Sequence, residues 1–383
     1  MKLGIISDCV HFYTPDGRIA TENHIFVRQM EALAAHFSEV LICCPFASYS
    51  ESVVSTVYSL HHIHFVAMSN VGENTIKEKL RLLSAMPRWF KAFRQVDKFS
   101  DIVYQRFPNN LNIPGFFFFY FKKKKVFATY TGTWNGYKDE PATYRLQRWL
   151  LRNYFKGPVW AYTDKPLQNN IHRGFSPSYS MAEWQQETAQ VEERINRLNH
   201  QPLQQLRMIT VGTLIGYKNQ LYILKASLLL KQQGIPFKLS VVGDGPIRQE
   251  LAAFISQNNL ANEVTLCGKK NYEQLRELYR QHDFVVQAPL SEGFGKVPVE
   301  GFFHGLVPVI NNIAMAAYMT GNGERGFMFE ATDPANLANL LRHILQHSEQ
   351  LPPLIENGRQ FARSQTLEAW ADDYFMTIQQ YFG

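Results

Sequence analysis

The sequence predicts an α/β protein made of two doubly wound parallel-sheet domains in series. Three features predict it. The chain has 383 residues, more than one ordinary domain holds at ~150 residues each. Its composition, 45% hydrophobic and 19% charged, supports a large core and excludes wholesale disorder. Short strand-like apolar runs also alternate with longer helix-like ones, once before residue 181 and again after residue 205.

Residues 3–6 read as a buried strand, followed by turn formers over 11–17 and a helical pattern with Ile25, Met30 and Leu33 near one face. With a strand over 39–43 the chain opens as β-loop-α-β, the unit of a parallel sheet. Residues 101–104 and 126–130 read as later strands. Residues 181–205 are polar, Gln-rich and punctuated by Pro202, a helix-then-linker composition that sets the predicted domain boundary. A second series begins there: strand 208–211, loop 212–218, helix 221–231, strand 237–242, turn 243–246 and a helix from Ile247. Strand 264–266, Gly268, helix 272–280 and strand 284–286 follow. A long loop to Val297, helix 298–304 and strand 307–310 complete the alternation, and residues 367–382 form a terminal helix. The expected organisation is thus 1–200, 201–365 and a terminal helical segment 366–383. Two Rossmann-like domains face each other across a cleft in this reading, with ligands at the carboxyl ends of strands.

Charge is unevenly spread. The whole chain carries 39 basic and 33 acidic residues, a net of +6. Residues 1–190 hold 22 basic and 15 acidic residues, a net of +7, and the rest holds 17 and 18, a net of −1. Within 77–173 the balance is 19 to 6, or +13, so one domain presents a positive face to something anionic. The four cysteines, Cys9, Cys43, Cys44 and Cys267, have no metal spacing and point to a reduced, cytoplasmic setting. No signal-peptide pattern precedes Ser7-Asp8. The densest apolar run, 113–121, is nine residues, well short of the ~20 a spanning helix needs.

Two stretches combine aromatics with cations as an interfacial segment does: 79–95 with Trp89, Phe90 and Phe93, and 116–125 with its run of four lysines. An anionic membrane surface is one reading, a peripheral location at the inner face of the plasma membrane its consequence. Core aromatics beside solvated lysines is the other, and Pro87 interrupts the first candidate helix.

The most informative stretch is Ser291-Glu292-Gly293-Phe294-Gly295-Lys296-Val297-Pro298-Val299-Glu300. Two glycines allow close backbone approach to a ligand, and Pro298 suits a first helical turn. Uncapped amides at Gly295, Lys296 and Val297 would then favour a phosphate. Carboxylates at Glu292 and Glu300 cannot usefully bind that phosphate, but they can accept hydrogen bonds from hydroxyls on either side, one from a ribose and one from a sugar.

This stretch resembles the retaining glycosyltransferases of family 4, which have the GT-B fold. Glu292 and Glu300 are spaced as that family's E-x7-E motif, and Gly305-Leu306-Val307-Pro308-Val309 follows. Val211-Gly212-Thr213-Leu214 with Lys218, Val241-Val242-Gly243-Asp244-Gly245-Pro246 and Val264-Thr265-Leu266-Cys267-Gly268 match in family order. The resemblance implies a nucleotide-diphosphate-sugar donor and a glycan or lipid-linked acceptor, with no metal. It makes Glu292 the carboxylate at the reacting sugar, Glu300 the ribose ligand and Lys218 the diphosphate cation. Gly293, Phe294, Gly295, Lys296 and Val297 become donor-binding, Gly268 and Lys269 the nucleobase wall, and Gly17 a first-domain glycine near the phosphate. The terminal helix returns to the first domain in this architecture.

The chain departs from the family at Thr213, where an arginine is usual, so Lys296 or Arg106 would have to supply a second phosphate cation. The family's first-domain histidine has no match, since that strand end reads Thr131-Gly132-Thr133-Trp134, and Phe175 to Tyr179 replace an Asn-Gly-Val turn. Thr131, Thr133 and His11 are further candidates there. The bland readings differ: His11 and His24 as local hydrogen-bonding residues, His304 as support behind Glu300, and His61, His62 and His64 as plain strand positions. Other classes compatible with the pattern are an inactive nucleotide-sugar-binding subunit and a sugar-nucleotide epimerase on the same frame. Neither first βα turn has Gly-x-Gly-x-x-Gly, which disfavours a dinucleotide oxidoreductase. Aromatics clustered with hydrophobes disfavour nucleic acid.

Overall fold

The computed structural model describes all residues except 51–54, 70–75, 138–139, 166–169 and 314, and the side chains of 69 and 76–84 also lie outside the described set. The chain divides into two units, Met1–Ser178 with Leu367–Gly383, and Tyr179–Thr366.

In the first unit β1 (Lys2–Ile6) leads into a small antiparallel sheet of β2 (Phe12–Tyr13), β3 (Ile19–Thr21) and, after β4 (Glu39–Phe46), β5 (Thr56–Val57). β6 (Ile63–Ser69), β7 (Ile102–Phe107), β8 (Lys125–Thr133), β9 (Val159–Tyr162) and β10 (Ile171–Arg173) complete the strands. The main sheet runs β10-β9-β8-β7-β1-β4-β6, and every neighbouring pair is parallel. Its strands are apolar on both faces, as a sheet covered on both sides requires. Alternation sends Leu3, Ile5, Val40, Ile42 and Cys44 to one core and Ile6, Leu41 and Cys43 to another.

Helices α1 (His24–Ala34), α2 (Ile76–Phe99), α3 (Asn112–Phe121) and α4 (Ala142–Asn153) cover this sheet. α2 continues through Pro87, contrary to the expected break. Burial of Ala85, Trp89, Ala92, Phe93 and Val96 along one face offsets the ~3 kcal/mol a mid-helix proline costs. The same burial favours the core reading of Trp89 and Phe93 over the interfacial one. The side chains of 79–84 lie outside the described residues.

The second unit starts at α5 (Met181–Gln186) and α6 (Thr188–His200). Its strands are β11 (Leu206–Val211), β12 (Phe237–Val242), β13 (Val264–Gly268), β14 (Phe284–Gln287), β15 (Val307–Asn311) and β16 (Phe327–Phe329). They pair in parallel in the order β13-β12-β11-β14-β15-β16. The order reverses between β11 and β14, the switch point where a doubly wound sheet opens a crevice. Helices α7 (Gln220–Gln232), α8 (Arg248–Gln257), α9 (Tyr272–Gln281), α10 (Lys296–Phe303), α11 (Ala316–Thr320), α12 (Pro334–Gln346) and α13 (Leu351–Arg363) follow.

Residues 179–200, assigned by composition to the first domain, pack with the second unit. Arg194 is buried and donates to Asp283 at 2.7 Å, a carboxylate that also receives Arg197 at 3.0 Å and Arg207 at 2.7 Å. The Arg359 guanidinium lies 4.1 Å over the Trp184 ring. Such contacts are invisible to a composition count. The last helix, α14 (Leu367–Phe382), belongs to the first unit. It packs beside α1, burying Trp370, Tyr374 and Ile378, with Tyr374 stacked on Trp160 at 3.8 Å.

Candidate active site

The switch point of the second unit holds a cavity of about 400 Å³. Gly212 and Thr213 leave β11 on one side, and Gln287 ends β14 on the other. The β11 and β12 loops touch closely: a Cβ on Gly243 would sit 1.9 Å from the Gly212 carbonyl oxygen. Only glycine fits there. Gly243 therefore shapes the floor of the loop and does not need to contact a ligand.

The opposite wall is the loop 292–295 running into α10. Gly295, with φ 76°, turns the chain in the left-handed region and leaves the helix without a side-chain cap. The first-turn amides are thus free of an N-cap side chain, and the helix dipole adds positive potential at this end. Pro298 sits in this first turn, where its missing N–H costs nothing. Lys218, at the end of a short 3-10 turn, ion-pairs with Glu292.

Thr213, Lys218, Glu292, Gly293, Phe294, Gly295, Lys296 and Val297 all line this one cavity. Glu300, Gly268 and Lys269 are not among its lining residues. Glu300 lies one turn inside α10, buried, with the Tyr279 hydroxyl donating to it at 2.8 Å. Burial, and next the Glu300 charge, push the Tyr279 hydroxyl well above its ordinary pKa, so it stays a donor. His304 stacks on Tyr279 with ring centroids 5.4 Å apart and is hydrogen-bonded to Glu187 and the Tyr179 hydroxyl. Burial pushes the Glu187 carboxyl up, but hydrogen bonds from His304, Arg280 and Arg276 outweigh it and hold it below the usual carboxylate range. Behind Glu300 therefore stands a layer of paired polar side chains, Tyr279, His304, Tyr179, Glu187, Arg276 and Arg280.

The sequence reading missed Gln287, Asn311, Met315 and Met319 on the cavity wall. Gln287 donates to Thr210 and the Val211 carbonyl, both at 3.3 Å. Asn311 donates to the Pro289 carbonyl at 2.8 Å and accepts from the Ala331 amide at 2.9 Å. Gln287 ends β14, which flanks the switch point, and Asn311 ends the neighbouring β15; a place at a strand's carboxyl end was the available signal.

The remaining candidates belong to the first unit. Gly17 makes the turn between β2 and β3 at φ 80°. Arg106 donates to Gln29 at 3.4 Å and lies 5.0 Å over the Phe26 ring. The Thr131 hydroxyl donates to the Phe107 carbonyl at 3.0 Å, and Thr133 pairs with Tyr162 in the sheet. His11 is enclosed, bonded to the Cys9 carbonyl at 2.8 Å and the Tyr58 hydroxyl at 2.9 Å, and burial lowers its pKa to about 4. His62 is hydrogen-bonded to the Ala34 carbonyl and His64 to Glu39. Among the described residues, no group of three His, Cys, Asp or Glu side chains is placed to hold a metal, and no helix is long and apolar enough to cross a membrane.

Residues 191–361 match the family model for Glycosyl transferases group 1. The chain is 27% identical over 129 residues to the uncharacterized glycosyltransferase MJ1178 of Methanocaldococcus jannaschii, which is 34% of this chain and 36% of that protein. It thus spans little more than a third of that relative. It is 24% identical over 289 residues, 74% of this chain and 77% of the other, to the N-acetylgalactosamine-N,N'-diacetylbacillosaminyl-diphospho-undecaprenol 4-alpha-N-acetylgalactosaminyltransferase of Campylobacter jejuni. In fold it is similar to Anabaena HepE, solved with UDP and glucose, at TM-score 0.72 and 16% identity over 99% of both chains. The second unit is therefore similar to the group 1 glycosyl transferases, within a GT-B fold that extends over the whole chain.

Proposed function

We propose that the protein is a retaining glycosyltransferase of family 4. It would move a sugar from a nucleotide-diphosphate sugar to a glycan or lipid-linked acceptor in cell-surface polysaccharide or glycolipid synthesis, in the cytoplasm and peripheral to a membrane. The observation that carries this reading is the convergence of an uncapped helix start, Lys218, Lys296 and Glu292 on one cavity at the switch point. Amides and lysines suit a diphosphate, and a carboxylate beside them suits sugar hydroxyls.

In this reading the α10 amides and Lys218 take up charge on the departing diphosphate, the largest barrier term in such a transfer. Glu292 holds the sugar so that the acceptor attacks from the leaving-group face. Glu300 accepts from a ribose hydroxyl. The fixed positive groups make a metal ion unnecessary. HepE's UDP and glucose complex supports a nucleotide-sugar donor, and the Campylobacter relative's diphospho-undecaprenol substrate supports a lipid-linked acceptor.

The test is a screen of uridine, guanosine and adenosine diphosphate sugars by thermal shift and slow donor hydrolysis. One donor should stabilise the protein and be turned over, with turnover unchanged by a chelator. Glu292→Gln should lower turnover ~10²-fold or more while leaving the melting temperature in place. Turnover at the wild-type rate in that variant would remove Glu292 from the chemistry. Binding without turnover in the wild type would instead identify an inactive nucleotide-sugar-binding subunit.

A further inference from the structure

The first unit has a second cavity, of about 220 Å³, at the edge of the sheet where β8 and β9 begin. α3 delivers the chain to β8 here and the end of α4 delivers it to β9. In a parallel sheet this is the edge opposite the strand carboxyl ends, where ligands of such folds bind. Its lining is aromatic, from Phe116, Phe119, Tyr120, Phe155 and Phe382, with Lys123, Lys125 and Lys156 at hand.

The lysines are not equivalent. Lys124 is consumed internally, donating to the Asp97 carbonyl at 2.7 Å and to the Ser100 carbonyl, with the Asp97 carboxylate 3.6 Å away. Lys125 donates to the Phe382 carbonyl at 2.9 Å, and Lys156 lies 4.9 Å over the Tyr120 ring. Among the described residues, no carboxylate is within ion-pair distance of Lys122, Lys123, Lys125 or Lys156. Lys123 has φ 54°, a helix-end position that favours glycine or asparagine.

Large apolar side chains stand exposed on the segments that carry these cations, Phe121 next to Lys122 and Tyr154 two residues before Lys156. Phe121 is 76% and Trp149 50% exposed, and Trp149 packs against the exposed Tyr154 with ring centroids 4.9 Å apart. A soluble phosphate compound would use the lysines and leave these rings in water. A bilayer uses both, since aromatic rings settle at the headgroup level while lysines meet anionic lipid. We propose that this cavity and its rim bind the headgroup phosphate of an anionic phospholipid, seating the first unit on a membrane with Phe121 and Trp149 in the interfacial layer. This inference rests on the peripheral membrane location of the proposed function, and not on the reaction chemistry of the second unit.

The test is co-sedimentation of the full chain with vesicles of phosphatidylcholine mixed with phosphatidylglycerol, and of phosphatidylcholine alone. Binding is expected only to the mixed vesicles, and weaker at high salt. Each lysine near the surface is worth about fivefold. The combined Lys122→Gln, Lys123→Gln and Lys156→Gln variant should therefore bind roughly 10²-fold more weakly, with an unchanged melting temperature. Phe121→Ala should weaken binding at constant charge. Absence of binding to mixed vesicles, or full binding by the triple-lysine variant, would overturn the proposal. Complete competition by free glycerol phosphate would do the same, because it would reassign the cavity to a soluble phosphate compound. Loss of donor turnover in Glu292→Gln with vesicle binding retained separates this site from the donor site.

Discussion

Tyr279 lies outside the cavity lining and acts on Glu300. Its hydroxyl donates to Glu300, and its ring is clamped against His304. In the proposed function Glu300 accepts from a ribose hydroxyl, and that role gains from one oxygen being fixed. Tyr279→Phe keeps the packing and removes that bond. The expected result is a donor KM raised roughly tenfold with kcat little changed, since a hydrogen bond to a charged group is worth ~1.5–3 kcal/mol. A change in melting temperature alone, with KM intact, would make Tyr279 structural only.

His11 gives a pH signature at the same scale. Its folded pKa is lowered to about 4 from 6.5 because burial disfavours the charged ring. The unfolded chain thus binds the proton first as pH falls. Stability is complete above pH 6.5 and is lost as pH drops towards 4, by up to about 3 kcal/mol. Urea unfolding at neutral and mildly acidic pH should show this slope, and His11→Phe, which cannot take the proton, should reduce it. The histidine was visible in the sequence beside the first loop; that it is enclosed by Phe26, Phe46, Tyr58 and Phe65 was not.

At the scale of elements, the loops after β11 and β12 are the most tightly specified part of the second unit. Gly243→Ala would drive a Cβ into the Gly212 carbonyl and force a non-glycine residue to φ 141°. The expected loss is more than about 2 kcal/mol in urea unfolding, with a matching loss of donor affinity because Gly212 and Thr213 line the cavity. The β-α alternation around those loops was legible, since each strand is a short apolar run with a glycine or polar break after it. The two helices of 179–200 were not legible as part of this unit. Their exposed faces dominate the composition, and their allegiance rests on a few buried groups such as Arg194 and Glu187. The aromatics of α2 allowed two readings in sequence, interfacial or core, and burial of Trp89 and Phe93 selects the core one.

At the scale of the whole molecule, the chain passes between units twice, after Ser178 and after Thr366. α14 is therefore part of the first unit's core although it is last in sequence. Removal of 367–383 would strip Trp370, Tyr374 and Ile378 from that core, at ~1.5–3 kcal/mol for each large apolar side chain. It would also leave Thr129 without its 2.7 Å bond to Tyr374. Calorimetry should show the first unit's transition lowered or lost, with the second unit's transition and its donor binding retained. Equal loss in both units would mean that they unfold as one.

The sequence alone determined the alternation of strands and helices, the doubly wound class and the stretch from Glu292 to Glu300, because periodicity, glycine breaks and motif spacing are local properties of the chain. Tertiary structure alone decided where 179–200 and 367–383 belong, which lysines are left unpaired by carboxylates, and that Glu300 is buried with the Tyr279 hydroxyl donating to it while Glu292 pairs with Lys218. Those outcomes depend on contacts between residues far apart in sequence, and burial and pairing have no representation in the order of residues by itself.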